Sequence, residues 1–220
     1  IVFIIVMLLL LVSILPLLHI QEDTRKISFR VAHVFHKNNV SYLPRFFIQG
    51  MRGIVSSVFW PIFVYSILEG YLSFGTVFAI ASFFSSVFVW IVGSKLDTFT
   101  KASKKRFLDF SSTLHGIISF IKVFVSNIVG VYLVGIFSLI TYGTTEVFLD
   151  ALAFNKANKN KKVIEFFVFR DIALNGARLL IIGIVFFSGL DMIGSLKLSF
   201  ILLGIASILQ KMLAPPYEKK

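Results

Sequence analysis

Apolar residues do not alternate along this chain; they come in long uninterrupted runs, separated by short polar stretches. A helix needs about 20 mostly apolar residues to cross a hydrocarbon core about 30 Å thick. Seven segments meet that requirement: 1–20, 47–68, 71–93, 107–125, 128–149, 163–189 and 193–213. The pattern predicts an all-α bundle of about seven transmembrane helices. The 107–125 segment is the most polar of them, because it contains Asp109, His115 and Lys122.

The polar stretches carry an orientation signal. Arg25, Lys26, Arg30, Lys37 and Arg45 follow the first run, and Lys95, Lys101, Lys104, Lys105 and Arg106 follow the third. Lys156, Lys159, Lys161 and Lys162 follow the fifth, and Lys219 and Lys220 end the chain. The turns near Glu69, Asn127 and Asp191 are almost free of Lys and Arg. Every second connection is basic, which marks those connections as cytoplasmic and the others as external. The first run then passes from outside to inside, as expected of a helix that others precede. Residues 21–46 admit two readings. Ile27, Val31, Val34 and Phe35 recur at helical spacing among basic residues, which suits a helix lying on the cytoplasmic face; a solvated linker suits the composition equally. Residues 214–220 form a cytoplasmic tail.

Composition agrees with a bilayer setting. Hydrophobic residues make up 57% and charged residues 15% of the chain, which includes 26 Phe; the mean hydropathy is +0.89. Soluble domains average about 25% charged residues. The net charge of +11 does not point to nucleic acid, because the basic residues lie in the short connections. With no cysteine, thiolate metal ligands and disulfides are excluded. The four His are scattered and no phosphate loop or nucleophile elbow is present, so neither metal, cofactor nor enzymatic activity is expected.

Several polar residues fall where they are expensive. A charge at the bilayer centre costs about 2.5–3.5 kcal/mol on insertion scales and turns to a bundle interior or cavity. In the 163–189 segment Arg170 and Asp171 are adjacent and point to different sides, so Arg170 needs another partner; Glu146 and Asp150 are the nearest. Asp171, Asn175 and Arg178 follow i, i+4, i+7 spacing and make one stripe, with Gly176 beside it for close helix approach. Arg170 and Asp171 read as an ion-pair lock near the cytoplasmic interface. Arg178 reads either as part of that lock or as a ligand for a solute or coupling ion, and Gln49 and Arg52 are further binding candidates. The 47–68 segment contains Trp60-Pro61, where a proline removes a helical hydrogen bond and bends the helix. Lys122 is expected to snorkel to the outer interface, and His115 to be a buried, hydrogen-bonded side chain rather than a proton relay.

One further motif is GSKLD at Gly93 to Asp97, followed by Lys101. Gly93 suits a helix end with a tight turn, and Asp97 can latch reversibly onto a helix N-terminus. A helix cap ahead of a topogenic basic loop is the alternative. One helix, a long basic linker and six helices in hairpins resemble the sixth through twelfth helices of the major facilitator superfamily. The Gly93–Asp97–Lys101 pattern is similar to that family's loop signature, from which it departs at Thr98 and Thr100. The resemblance implies a secondary transporter moving a small-molecule substrate across the cytoplasmic membrane by alternating access. It also implies two inverted three-helix repeats, a gating role for Gly93, Asp97 and Lys101, and an N-terminal half as partner. The alternative is a non-transporting polytopic membrane protein, either an embedded enzyme or a scaffold.

Overall fold

A computed structural model describes residues 7, 11–12, 29–68, 70–96, 98–160 and 163–213. All but three residues of the expected first helix at 1–20, most of the first half of the linker, and the tail at 214–220 lie outside the described residues. Among those described, the protein is all-helical and has no strand.

Two single turns, α1 (Val31–Val34) and α2 (Lys37–Val40), precede six long helices. These are α3 (Leu43–Leu68), α4 (Tyr71–Leu96), α5 (Lys101–Lys122), α6 (Ile128–Asn160), α7 (Val163–Phe187) and α8 (Met192–Leu213). Four of them are long and apolar enough to cross a membrane: α3, α4, α6 and α8. The expectation of about seven such spans is therefore reduced among the described residues. α5 and α7 are long enough but more charged, through Lys104, Lys105, Arg106, Asp109 and Lys122 in α5 and Glu165, Arg170, Asp171 and Arg178 in α7.

Local chemistry explains the element ends. Pro44 occupies the first turn of α3, where a missing N–H costs nothing. Further along, Pro61 cannot donate to the carbonyl one turn back. The helix accommodates this with a π turn at Val55–Phe59, in which the Trp60 N–H reaches the Val55 carbonyl. Thr100 caps α5 by accepting from the Ser103 N–H at 3.2 Å. That cap starts α5 six residues before the apolar run does, so Lys104 to Arg106 are helical rather than loop. Asn127 and Asp191 accept from the N–H groups of Gly130 and Gly194 and open α6 and α8. The turn into α8 also uses Gly189 at φ +69°, a conformation costly for a side chain with a Cβ.

Residues 29–46 form no continuous amphipathic helix. The chain breaks at Phe35–His36 and folds back on α7, with Val34 buried against Phe46, Phe166 and Phe169. Asn39 fixes this bend by donating to the carbonyls of His33 and Val34.

Apart from α5 with α6, the main packing pairs are not sequence neighbours. The main pairs are α3 with α7, α4 with α6, α5 with α6, α5 with α8, and α3 with α8. Exchanging α3, α4 and α5 for α6, α7 and α8 in order maps α3–α7 onto α6–α4, α5–α6 onto α8–α3, and α5–α8 onto itself. Corresponding helices run in opposite directions. Gln49 meets Glu146 near the start of α3, whereas Trp60, further along, faces Gly135 near the start of α6. α4 shows most of its surface outward, Trp90 and Phe83 included, as a helix facing hydrocarbon does.

Candidate functional site

A chain of charged and polar side chains crosses the interior and joins every long helix except α4. Arg170 on α7 donates through Nη2 to Asp150 Oδ1 on α6. Gln49 on α3 donates through Nε2 to Glu146 Oε2 at 2.6 Å and to Asp150 Oδ1 at 3.4 Å. Glu146 Oε1 lies 3.6 Å from Arg52 Nη1, an ion pair looser than a hydrogen bond. Arg52 Nη2 donates to Gln210 Oε1 on α8 at 2.6 Å, and Ser112 Oγ on α5 donates to the same oxygen at 3.1 Å.

Helical spacing builds this junction. Glu146 and Asp150 are one turn apart on α6 and repel each other, so the Gln49 amide between them and the guanidinium groups of Arg52 and Arg170 make the pair tolerable. Arg52 is fully buried, while Asp150 retains 45% side-chain exposure. The network thus grades from a buried end at Arg52 to a partly exposed end at Asp150. Close helix approach supports it: a Cβ on Gly50 would meet the backbone of Leu174, including its Cα at 2.9 Å, so α3 and α7 touch through that glycine. Gly176 meets nothing within 4 Å and plays no such part.

Next to the junction lies a second polar group. His115, fully buried, shares a hydrogen bond of 3.0 Å between Nδ1 and Thr141 Oγ1. Thr145 Oγ1 donates to Ser111 Oγ at 3.1 Å.

The remaining sequence candidates are placed apart from this interior. Asp171, Asn175 and Arg178 do form one stripe, but it is exposed on the outside of the bundle. Arg178 Nη1 donates to Asn175 Oδ1 at 3.0 Å and its guanidinium passes beside Gly53. Of the two residues expected to form an ion-pair lock, Arg170 pairs with Asp150, whereas Asp171 is exposed on the other side of α7 and takes no part in the network among the described residues. Gly93 does not end its helix; α4 continues three residues further to Leu96, where Thr98 Oγ1 bonds the Lys95 carbonyl. Asp97 and the side chain of Lys101 lie outside the described residues. Lys122 does not snorkel: it is fully buried. No group of three His, Asp or Glu able to hold a metal occurs among the described residues.

Gln210 and Ser112 are central to the junction and escaped the sequence reading. The signal was present in α8, where Ser199, Ser207 and Gln210 repeat at near-helical spacing in an otherwise apolar run.

No protein-family model, no curated protein and no solved structure matches this chain.

Proposed function

We propose that this chain supplies one six-helix unit of a secondary transporter of the major facilitator type, moving a small solute across the cytoplasmic membrane by alternating access. The observation that carries this reading is the exchange relation in the packing. Two three-helix units with matching partners and opposite directions are what an inverted repeat requires. The alternation of basic and non-basic connections supports the same topology.

The polar groups divide into two sets in a way that suits such a unit. Arg52, Glu146, Gln49, Asp150 and Arg170 link helices within the bundle. Asp171, Asn175 and Arg178 are exposed on its surface, where lipid alone would leave the charges unsatisfied. A second six-helix unit placed against that stripe would enclose a polar cavity, with Arg178 on one wall. Asp97 and Lys101 would then latch the cytoplasmic side, and Gly93 would leave room beside α4 for the latch.

The test is solute flux in the complete protein. Cells with and without the gene are compared for uptake and export of a panel of labelled small solutes, and any hit is repeated in proteoliposomes. Saturable flux of one solute class that Arg178→Ala removes supports the reading. Reconstituted protein that moves none of the panel, with an upstream chain forming no second bundle, overturns it.

A further inference from the structure

One helical turn outward from the junction of Arg52, Ser112 and Gln210, three helices each place a polar side chain at the same level. These are Ser56 on α3, four residues past Arg52; His115 on α5, three past Ser112; and Ser207 on α8, three before Gln210. The directions agree, since α3 and α5 run outward and α8 runs inward. All are buried, with 5% exposure at Ser56 and none at His115 or Ser207. Ser56 Oγ, His115 Nε2, Ser207 Oγ and Gln210 Nε2 have no hydrogen-bond partner in the protein, nor does Arg52 Nε in the layer beneath.

The crossing of α5 and α8 shapes this layer. A Cβ on Gly116 would lie 2.9 Å from the Gly204 carbonyl and 2.8 Å from Ile208 Cγ1. The two backbones therefore meet there, and the neighbouring His115 and Ser207 are held close to the crossing. Outward of the layer, Trp60, Phe200 and Leu203 are buried.

The acceptors and donors can be assigned. Thr141 Oγ1 has one proton, and carbonyl oxygens of Phe137 and Ser138 stand ready to take it at 2.9 and 3.1 Å. With that proton on a carbonyl, the Thr141 lone pair is left for His115, and the ring then carries its proton on Nδ1 and leaves Nε2 as an acceptor. The layer thus offers one ring acceptor, two hydroxyls that act either way, and the N–H donors of Gln210 and Arg52. An anion fits this set poorly, because it would face the Nε2 lone pair. A molecule that both donates and accepts fits it well.

We infer that this layer is a buried water site inside the six-helix bundle, in which water donates to His115 Nε2 and accepts from Gln210 Nε2, with Ser56 and Ser207 as side walls. A buried polar group left without a partner costs about 1–3 kcal/mol, and ordered water is how protein interiors meet that demand. The site hydrates the side of Arg52 that faces this layer, where Nε has no partner in the protein. It gives that guanidinium a polar alternative to Glu146 without opening the bundle to bulk solvent.

The test uses the full chain in lipid bilayers, with isotope-labelled histidine and solid-state NMR. The chain has four His, so loss of one signal set in His115→Gln assigns the residue. Expected is a His115 ring protonated at Nδ1, with a hydrogen-bonded, unprotonated Nε2 that receives magnetisation from water. A His115 ring that receives none overturns the site, and so does a ring protonated at both nitrogens, which an anion in the layer would require. The double variant Ser56→Ala/Ser207→Ala, checked for unchanged helicity, should lose most of the transfer. Full transfer in that variant overturns the role of the two hydroxyls.

Discussion

Lys122 holds its Nζ 4.8 Å from the ring centroid of Trp60, and both side chains are buried. Phe200 supplies a second ring at 5.7 Å, and no hydrogen-bond acceptor reaches the nitrogen. A desolvated cation–π contact is worth about 2 kcal/mol. Burying an ammonium costs several kcal/mol even after the protein relaxes, so this contact does not make Lys122 a stabilising residue. Lys122→Met, which keeps the length and drops the charge, is therefore expected to raise the thermal midpoint in detergent. Trp60→Ala removes the ring and leaves a cavity, and is expected to lower stability by about 3–5 kcal/mol. A midpoint for Lys122→Met below that of the wild type would show that the cation–π contact outweighs desolvation.

Glu146 is the carboxylate beside fully buried Arg52. Glu146→Gln preserves shape but strands the guanidinium, and breaking a buried pair this way is expected to cost about 3–5 kcal/mol. Replacing both partners, as Arg52→Met with Glu146→Leu, should cost less than the sum of the single changes. A double-mutant cycle on unfolding in detergent checks this, and strict additivity would mean that the two charges do not interact.

Two glycines should respond with opposite signs. Gly50→Ala drives a methyl into the Leu174 backbone and to 3.0 Å from Ala177 Cβ, and should destabilise by about 1–3 kcal/mol. Gly176→Ala meets nothing within 4 Å and should stabilise the helix by about 0.5–1 kcal/mol. Thermal unfolding of the two variants side by side decides the matter.

The topology can be read with single cysteines, because the chain has none of its own. Cysteines at Asn127 and Asp191 should react with an impermeant reagent added to intact cells. Those at Ser103 and Asn155 should react only after the membrane is opened. Reaction at 155 in intact cells would invert the assignment.

Arg178 has one hydrogen bond, to Asn175, and an exposed position. Arg178→Ala should therefore change stability by less than about 0.5 kcal/mol, as surface changes do. On the transporter reading it should abolish flux at equal expression. Wild-type flux would leave the stripe without a transport role.

Six apolar segments of the sequence correspond to α3–α8, yet two of their ends lie more than five residues from the helix ends. α5 starts at Lys101 instead of 107, and α6 runs to Asn160 instead of 149. Hydropathy locates where a chain leaves the apolar phase, whereas a helix continues until a cap or breaker stops it. Part of the site was legible too. Glu146 and Asp150 are the partners that the sequence offers Arg170, because all three fall beside the connection between α6 and α7, and the structure selects Asp150. The pairing of Arg52 with Gln210 joins residues 158 positions apart and left no such trace.

The sequence by itself determined that the chain is helical and where its long helices fall, and its loop charge predicts which connections share a side. These follow from local rules: backbone groups in an apolar phase must bond within their own segment, and loop charge is counted residue by residue. Only the tertiary structure decided that α3 packs on α7, that Arg52 and Lys122 are buried, and that the stripe of Arg178 is exposed. In an apolar surrounding, burying an apolar face gains little, so a helix's hydropathy does not say which face turns inward. That choice rests on small residues and polar partners supplied by other helices, such as Gly50 against Leu174 and Arg52 against Gln210.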